Sequence, residues 1–175
     1  MINSFPEEII NFASLSAESL EDSLVKYQTH KRIDNVDEVR DISHRILFDI
    51  LKPHYKGLNI EPSVATFNFM VEPLKNSFFH SDGNEDINLS LIASPSAFVF
   101  GISDGGSYFK RPEIKQCWEA RKKYPEKNKS HHKEIGFGVG TGLIYDFADL
   151  IYVENSSGTL YVGSKVPGKL FRVNN

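Results

Sequence analysis

The apolar positions of this chain change period several times, and each change marks an element. Val36, Val39, Ile42, Ile46, Leu47, Ile50 and Leu51 recur at helical spacing until Pro53. Asn35, with Glu38 three residues on, forms a capping box, so a helix of about four turns is predicted from there. Pro62-Ser63 opens a second helix with Val64, Phe67, Met70, Val71, Leu74 and Phe78 as its buried stripe, and Pro73 predicts a bend within it. The period then falls to two. Ile87, Leu89 and Leu91, then Phe98, Phe100 and Ile102, read as an antiparallel hairpin turned by Ser94-Pro95-Ser96. Leu143, Phe147, Leu150 and Ile151 return to helical spacing, which predicts a helix over 142–155 ended by Ser156-Ser157-Gly158. Two short strands over 159–162 and 170–173, turned by Val166-Pro167-Gly168, finish the chain. In the first thirty residues, short apolar groups alternate with acidic ones, and a short helix followed by an edge strand is expected.

A length of 175 residues with 40% hydrophobic content suits one domain, here a body over 35–175 preceded by an extension over 1–34. The net charge of −3 offers no general attraction to nucleic acid. No apolar run approaches the ~18 residues of a membrane span, and the N-terminus lacks the features of a signal peptide, so no membrane partner and a cytoplasmic location are expected. Cys117 is the only cysteine, which excludes an intramolecular disulfide and a cysteine metal cluster. His44, in the first helix, could suggest a phosphoacceptor, but without a helical dimerisation hairpin it reads as a solvated side chain, as do His30 and His54. His131-His132 has no ligand at a usual spacing, so no zinc is expected.

Four stretches carry candidate chemistry. The first is Gly136-Phe137-Gly138-Val139-Gly140-Thr141-Gly142, four glycines at two-residue spacing leading into the apolar run from Leu143. Such a loop lets successive N–H groups converge on an anion at a helix N-terminus, although packing alone also uses glycine-rich turns. The second lies on the helix through Pro73. Glu72 and Asn76 are four apart and project from one face, and His80 continues the line. A carboxylate beside an amide oxygen suits a hard cation such as Mg²⁺ on Asn76 with Glu72 as base, whereas a solvated glutamate and a helix-end asparagine are the plain alternative. Third, Asp104-Gly105-Gly106 follows the second hairpin strand. It serves either as a plain turn or as an acceptor for a ligand's amino group. Fourth, residues 107–135 hold nine of the chain's 20 lysines and arginines, a solvated loop or a lid over phosphates.

The order of these motifs resembles the nucleotide-binding domain shared by gyrase, the heat-shock chaperone and MutL, histidine kinases and anti-sigma-factor serine kinases, the GHKL superfamily or Bergerat fold. The likeness covers about residues 35–173. Glu72 to His80 resembles the N box, Asp104-Gly105-Gly106 the first glycine box, and Gly138 to Leu143 the second. The resemblance implies an α/β (α+β) two-layer sandwich, a mixed and mostly antiparallel sheet with helices on one face. It implies that Asn76 coordinates Mg²⁺, that Glu72 is the general base and that Asp104 accepts a hydrogen bond from the adenine amino group of ATP. Gly106 would let the base lie against the backbone, while Gly136, Gly138, Val139, Gly140, Thr141, Gly142 and Leu143, with His80, complete the binding site. Two positions depart from the pattern. Tyr108 stands where a further glycine is usual, and the strand threonine near adenine falls on Leu170 if Gly168-Lys169-Leu170-Phe171 is matched to it. Matching Gly158-Thr159 would keep Thr159, but the first register leaves the expected helix before it intact.

A histidine kinase would add a phosphoacceptor hairpin before the domain, and a gyrase or MutL protein a transducer domain after it. Neither is expected here. The resemblance therefore points to a switch-type serine/threonine kinase that passes the γ-phosphate of Mg-ATP to a small partner protein, with homodimerisation possible. The alternative is a nucleotide-gated binding module with little or no turnover.

Overall fold

The computed structural model describes residues 5–13, 25–80, 86–103, 144 and 146–174. Its elements are α1 (Glu7–Ala13), β1 (Val25–Arg32), α2 (Val36–Arg45, continued by Ile46–Leu51 and Lys52–Lys56), β2 (Ile60–Pro62), α3 (Val64–His80), β3 (Asp86–Ala93), β4 (Ala97–Ser103), β5 (Leu150–Glu154), β6 (Thr159–Lys165) and β7 (Phe171–Val173). Five strands form one sheet in the order β1-β3-β4-β6-β5, and β2 pairs with β7 in a separate ribbon. Every pairing is antiparallel. The fold is thus α+β, a sheet layered against helices.

Alternation within the strands decides the layering. Ile87, Leu89 and Leu91 of β3, Phe98, Phe100 and Ile102 of β4, and Leu160 and Val162 of β6 share one face and are buried against Val39, Ile42, Ile46, Leu51 and Tyr55 of α2 and Phe69, Met70 and Leu74 of α3. Among the described residues the opposite face is covered more thinly, where Ile92, Val99 and Tyr161 meet Phe5 and, from α1, Ile9 and Ala13. So the first residues lay a helix on the sheet's outer face, and β1 pairs with β3 along eight residues as an integral edge strand.

The capping box forms: the Asn35 side chain accepts from the Asp37 and Glu38 N–H groups at 3.0 and 3.1 Å and donates to Glu38 Oε1 at 3.2 Å. The helix does not stop at Pro53. Between Ile46 and Leu51 it widens into a π-helical stretch, with the Lys52 N–H donating to the Leu47 carbonyl. That wider turn relieves the collision a proline ring makes with the carbonyl four residues back, and the chain stays helical to Lys56. In α3 the buried stripe is Thr66, Phe69, Met70, Val71, Pro73, Leu74 and Ser77, while Val64, assigned to it from sequence, is 81% exposed. Two hydrogen bonds rotate the start of α3 this way. The Ser63 N–H and the Thr66 hydroxyl both donate to the Leu170 carbonyl, each at 2.8 Å.

The largest departure follows Ile144. Ile144, Asp146 and Phe147 are helical, with the Ala148 N–H donating to the Ile144 carbonyl at 2.8 Å, and the chain then runs as β5 where the spacing predicts a helix to residue 155. Ile151, Tyr152 and Val153 are β-formers, and Asn155-Ser156-Ser157-Gly158 is a hairpin turn, with Gly158 at φ 71°. The last strand also differs. β7 does not pair with β6 but crosses to β2.

His54, expected to be solvated, is half-buried with its ring edge-on to Tyr55. Its Nε2 has no hydrogen-bond partner among the described residues. Burial lowers its pKa, so the folded state holds fewer protons than the unfolded state just below the ordinary value. The contribution is present above about pH 6.5 and is lost as pH falls below it. Stability measured by denaturant titration should therefore drop on acidification through about pH 6, by less than ~1.4 kcal/mol per pH unit, and part of that slope should disappear in His54→Gln. Gly101 supplies a second test. A Cβ there would collide with Ser90 Oγ and lie 2.6 Å from the Tyr161 ring. Gly101→Ala should cost about 1–3 kcal/mol in the same assay.

Candidate functional site

α3 carries the candidate residues that the structure describes. With Pro73, Leu74 and Ser77 turned into the core, Glu72, Lys75 and Asn76 fall at the edge of the buried stripe, all half-buried. The Glu72 and Lys75 side chains are 19% and 34% exposed, with Lys75 Nζ 3.4 Å from Glu72 Oε1. Asn76 sits one turn beyond Glu72 on the same face. His80 is the last residue of the helix. The spacing argument for Glu72 and Asn76 therefore describes two oxygen-bearing groups on successive turns of one ordered helix.

α3 packs against α2 and β4. β4 ends at Ser103, and Asp104 and Gly106 follow it in the sequence. They lie outside the described residues, as do residues 107–135 assigned to a lid, Tyr108, and Gly136, Gly138, Val139, Gly140, Thr141, Gly142 and Leu143. Ile144, where the description resumes, is buried in the same core as Ile102, Leu160 and Leu74.

The margin at Ser103 holds a polar network that the sequence reading missed. β6 runs beside β4, with Ile102 opposite Leu160, which sets the β5–β6 turn next to Ser103. Ser103 Oγ donates to the Ser157 carbonyl at 3.4 Å, the hydroxyls of Ser157 and Thr159 are 2.6 Å apart, and the Thr159 N–H donates to Ser157 Oγ at 3.1 Å. Ser157 also donates to the Glu154 carboxylate. Below it, burial and then the Glu154 charge push the Tyr161 phenol up to about 12, partly offset by hydrogen bonds with Thr159 and Ser90. In the sequence this turn shows as Glu-Asn-Ser-Ser-Gly-Thr, whose Ser-Ser-Gly suits a helix terminus equally well.

This arrangement corrects the strand register chosen from sequence. Leu170 is buried beneath the start of α3, outside the five-stranded sheet, and the strand beside the end of β4 is β6. Gly158-Thr159 therefore occupies the neighbouring position. The Leu170 register keeps a helix up to residue 155, and β5 stands in that helix's place. The Thr159 side chain, in alternation with Leu160, lies on the face of Tyr161.

No three histidine, cysteine, aspartate or glutamate side chains come together as a ligand set among the described residues. Mg²⁺ does not need one, since it is commonly held by one or two protein oxygens together with substrate phosphates and water. The amide oxygen of Asn76 and the carboxylate of Glu72 fit that donor chemistry. Among the described residues, no helix is long and apolar enough to cross a membrane.

No protein-family model matches the chain, and no curated protein does.

The half-exposed site residues are separable from the core. Asparagine is a weaker helix former than alanine by a few tenths of a kcal/mol, so Asn76→Ala should leave the melting temperature unchanged or slightly raised, as read by circular dichroism.

Proposed function

We propose that this protein binds Mg-ATP beside α3 and the end of β4, as a GHKL-type domain, and passes the γ-phosphate to a serine or threonine hydroxyl of a small partner protein in the cytoplasm. The observation that carries the reading is the pairing of Glu72 and Asn76 on successive turns of α3, half-buried on a helix that packs on the strand leading into Asp104. Asn76 supplies a neutral hard oxygen, and Mg²⁺ when bound neutralises charge on the phosphate chain. Glu72 accepts the proton of the attacking hydroxyl as the new oxygen–phosphorus bond forms and the bond to ADP breaks. Asp104 and the glycines from Gly136 to Gly142 are assigned to adenine and phosphates by the sequence resemblance.

The contact between Lys75 and Glu72 favours a second reading, a nucleotide-gated binding module with little turnover, because an ammonium beside the carboxylate occupies the base. Calorimetric titration with ATP, with and without Mg²⁺, separates these readings when combined with a phosphoryl-transfer assay. Magnesium-dependent binding is expected in the wild type and should weaken about tenfold or more in Asn76→Ala. Glu72→Gln should retain binding and lose about 10²–10⁴ in transfer rate. Binding without transfer to any partner would establish the module, and no binding at millimolar ATP would remove the nucleotide from both readings.

A further inference from the structure

We infer that Lys75 is a phosphate-binding residue of this site, held on Glu72 while the site is empty and handed to the phosphate chain when nucleotide enters; the inference rests on the ATP-binding reading above. The sequence resemblance assigns Lys75 no role. Within α3, Glu72 is the single acidic residue and Lys75 the single lysine or arginine. Charges that serve only solubility belong at the exposed positions of a helix. Here the apolar Val64 and Phe79 are 81% and 64% exposed, whereas the Glu72 and Lys75 side chains are 19% and 34% exposed.

The geometry of the pair suits exchange. At 3.4 Å, the ammonium is farther from the carboxylate than the roughly 2.7–2.9 Å of a tight charge-assisted hydrogen bond, so Glu72 holds Lys75 without locking it. Lysine is a flexible point charge with three donors, able to swing between two anions. A triphosphate carries more negative charge than one carboxylate and draws the ammonium away. That transfer leaves the Glu72 carboxylate free to accept a proton in the same event that seats the nucleotide. The net charge of −3 adds a reason for a local cation, since the protein as a whole does not attract a polyanion.

The test is a double-mutant cycle read by calorimetric titration of the full chain with Mg-ATP and, separately, with adenosine. Lys75→Met should weaken Mg-ATP about tenfold, the scale of one hydrogen bond to a charged group, and leave adenosine unchanged. Lys75→Arg should retain most of the ATP affinity. Glu72→Gln should tighten Mg-ATP about threefold to fivefold by releasing the lysine from a half-exposed pair. That gain should vanish when Lys75→Met is added. A merely structural ion pair predicts neither the opposite signs nor the sparing of adenosine. Equal ATP affinity in Lys75→Met and wild type, or a gain from Glu72→Gln that persists in the double variant, overturns the inference while leaving ATP binding intact. Failure of the wild type to bind either ligand overturns the ATP reading, and this inference with it.

Discussion

Sealing the inner face of the five-stranded sheet is the constraint on which the rest of the molecule depends. Phe98 and Phe100 of β4 are fully buried there, and a relay of rings ties Phe98 to three other elements. Tyr55 at the end of α2 meets Phe171 of β7 at 4.8 Å between centroids, Phe171 meets Phe98 at 5.6 Å, and Phe98 meets Phe69 of α3 at 6.3 Å. Each full burial contributes roughly 1.5–3 kcal/mol, and each aromatic pair adds about 0.5–1.5. Tyr55 anchors the relay, with its hydroxyl 3.0 Å from the Ser94 carbonyl and 3.2 Å from that of Ala97, so α2 is fastened to the β3–β4 turn. Burial raises its pKa far above the phenol range, and the group stays a neutral donor at any physiological pH.

The same packing fixes the rotation of α3. With Phe69, Met70 and Leu74 turned to the sheet, Glu72 and Asn76 fall outside the core-facing stripe and are half-buried. The outer layer then follows from the gaps in the sheet. Gly163 lets the Phe12 ring approach, a contact its Cβ would bring to 2.8 Å, and Ser94 Oγ donates to the Ala13 carbonyl at 2.5 Å. One serine thus fastens the end of α1 to the turn that Tyr55 holds from the other side.

Much of this was legible in the sequence, and the failures have physical causes. The helices of α2 and α3 and the β3–β4 hairpin were readable because one period persisted through each and a cap or turn marked at least one limit. The segment after Leu143 misled because apolar residues at 143, 147, 150 and 151 satisfy a helix, and equally a single helical turn followed by a strand. Pairing decides that case: β5 gains a full ladder with β6, from Leu150 opposite Gly163 to Glu154 opposite Thr159, which an isolated helix could not match. The pairing of β7 with β2 joins residues more than a hundred positions apart, and no local pattern carries such a choice. Pro53 misled for the opposite reason, since the π-helical stretch that accommodates it has no sequence signature of its own.

Of the candidate site, helix spacing made Glu72 and Asn76 readable as a pair. Lys75 was not, because a lysine at i+3 on a helix is ordinary until the burial of its neighbours is known. What distinguishes α3 is the conflict between its pattern and its surroundings. Apolar Val64 and Phe79 are 81% and 64% exposed, while Glu72 and Lys75 are partly withdrawn from water. A helix made only for packing would reverse that order, since half-burying two charges gains little when they meet at 3.4 Å. Local rules broken in this way, within an element otherwise well packed, belong at places where a ligand completes the electrostatics. In the function proposed here, that ligand is an anion arriving beside Asn76.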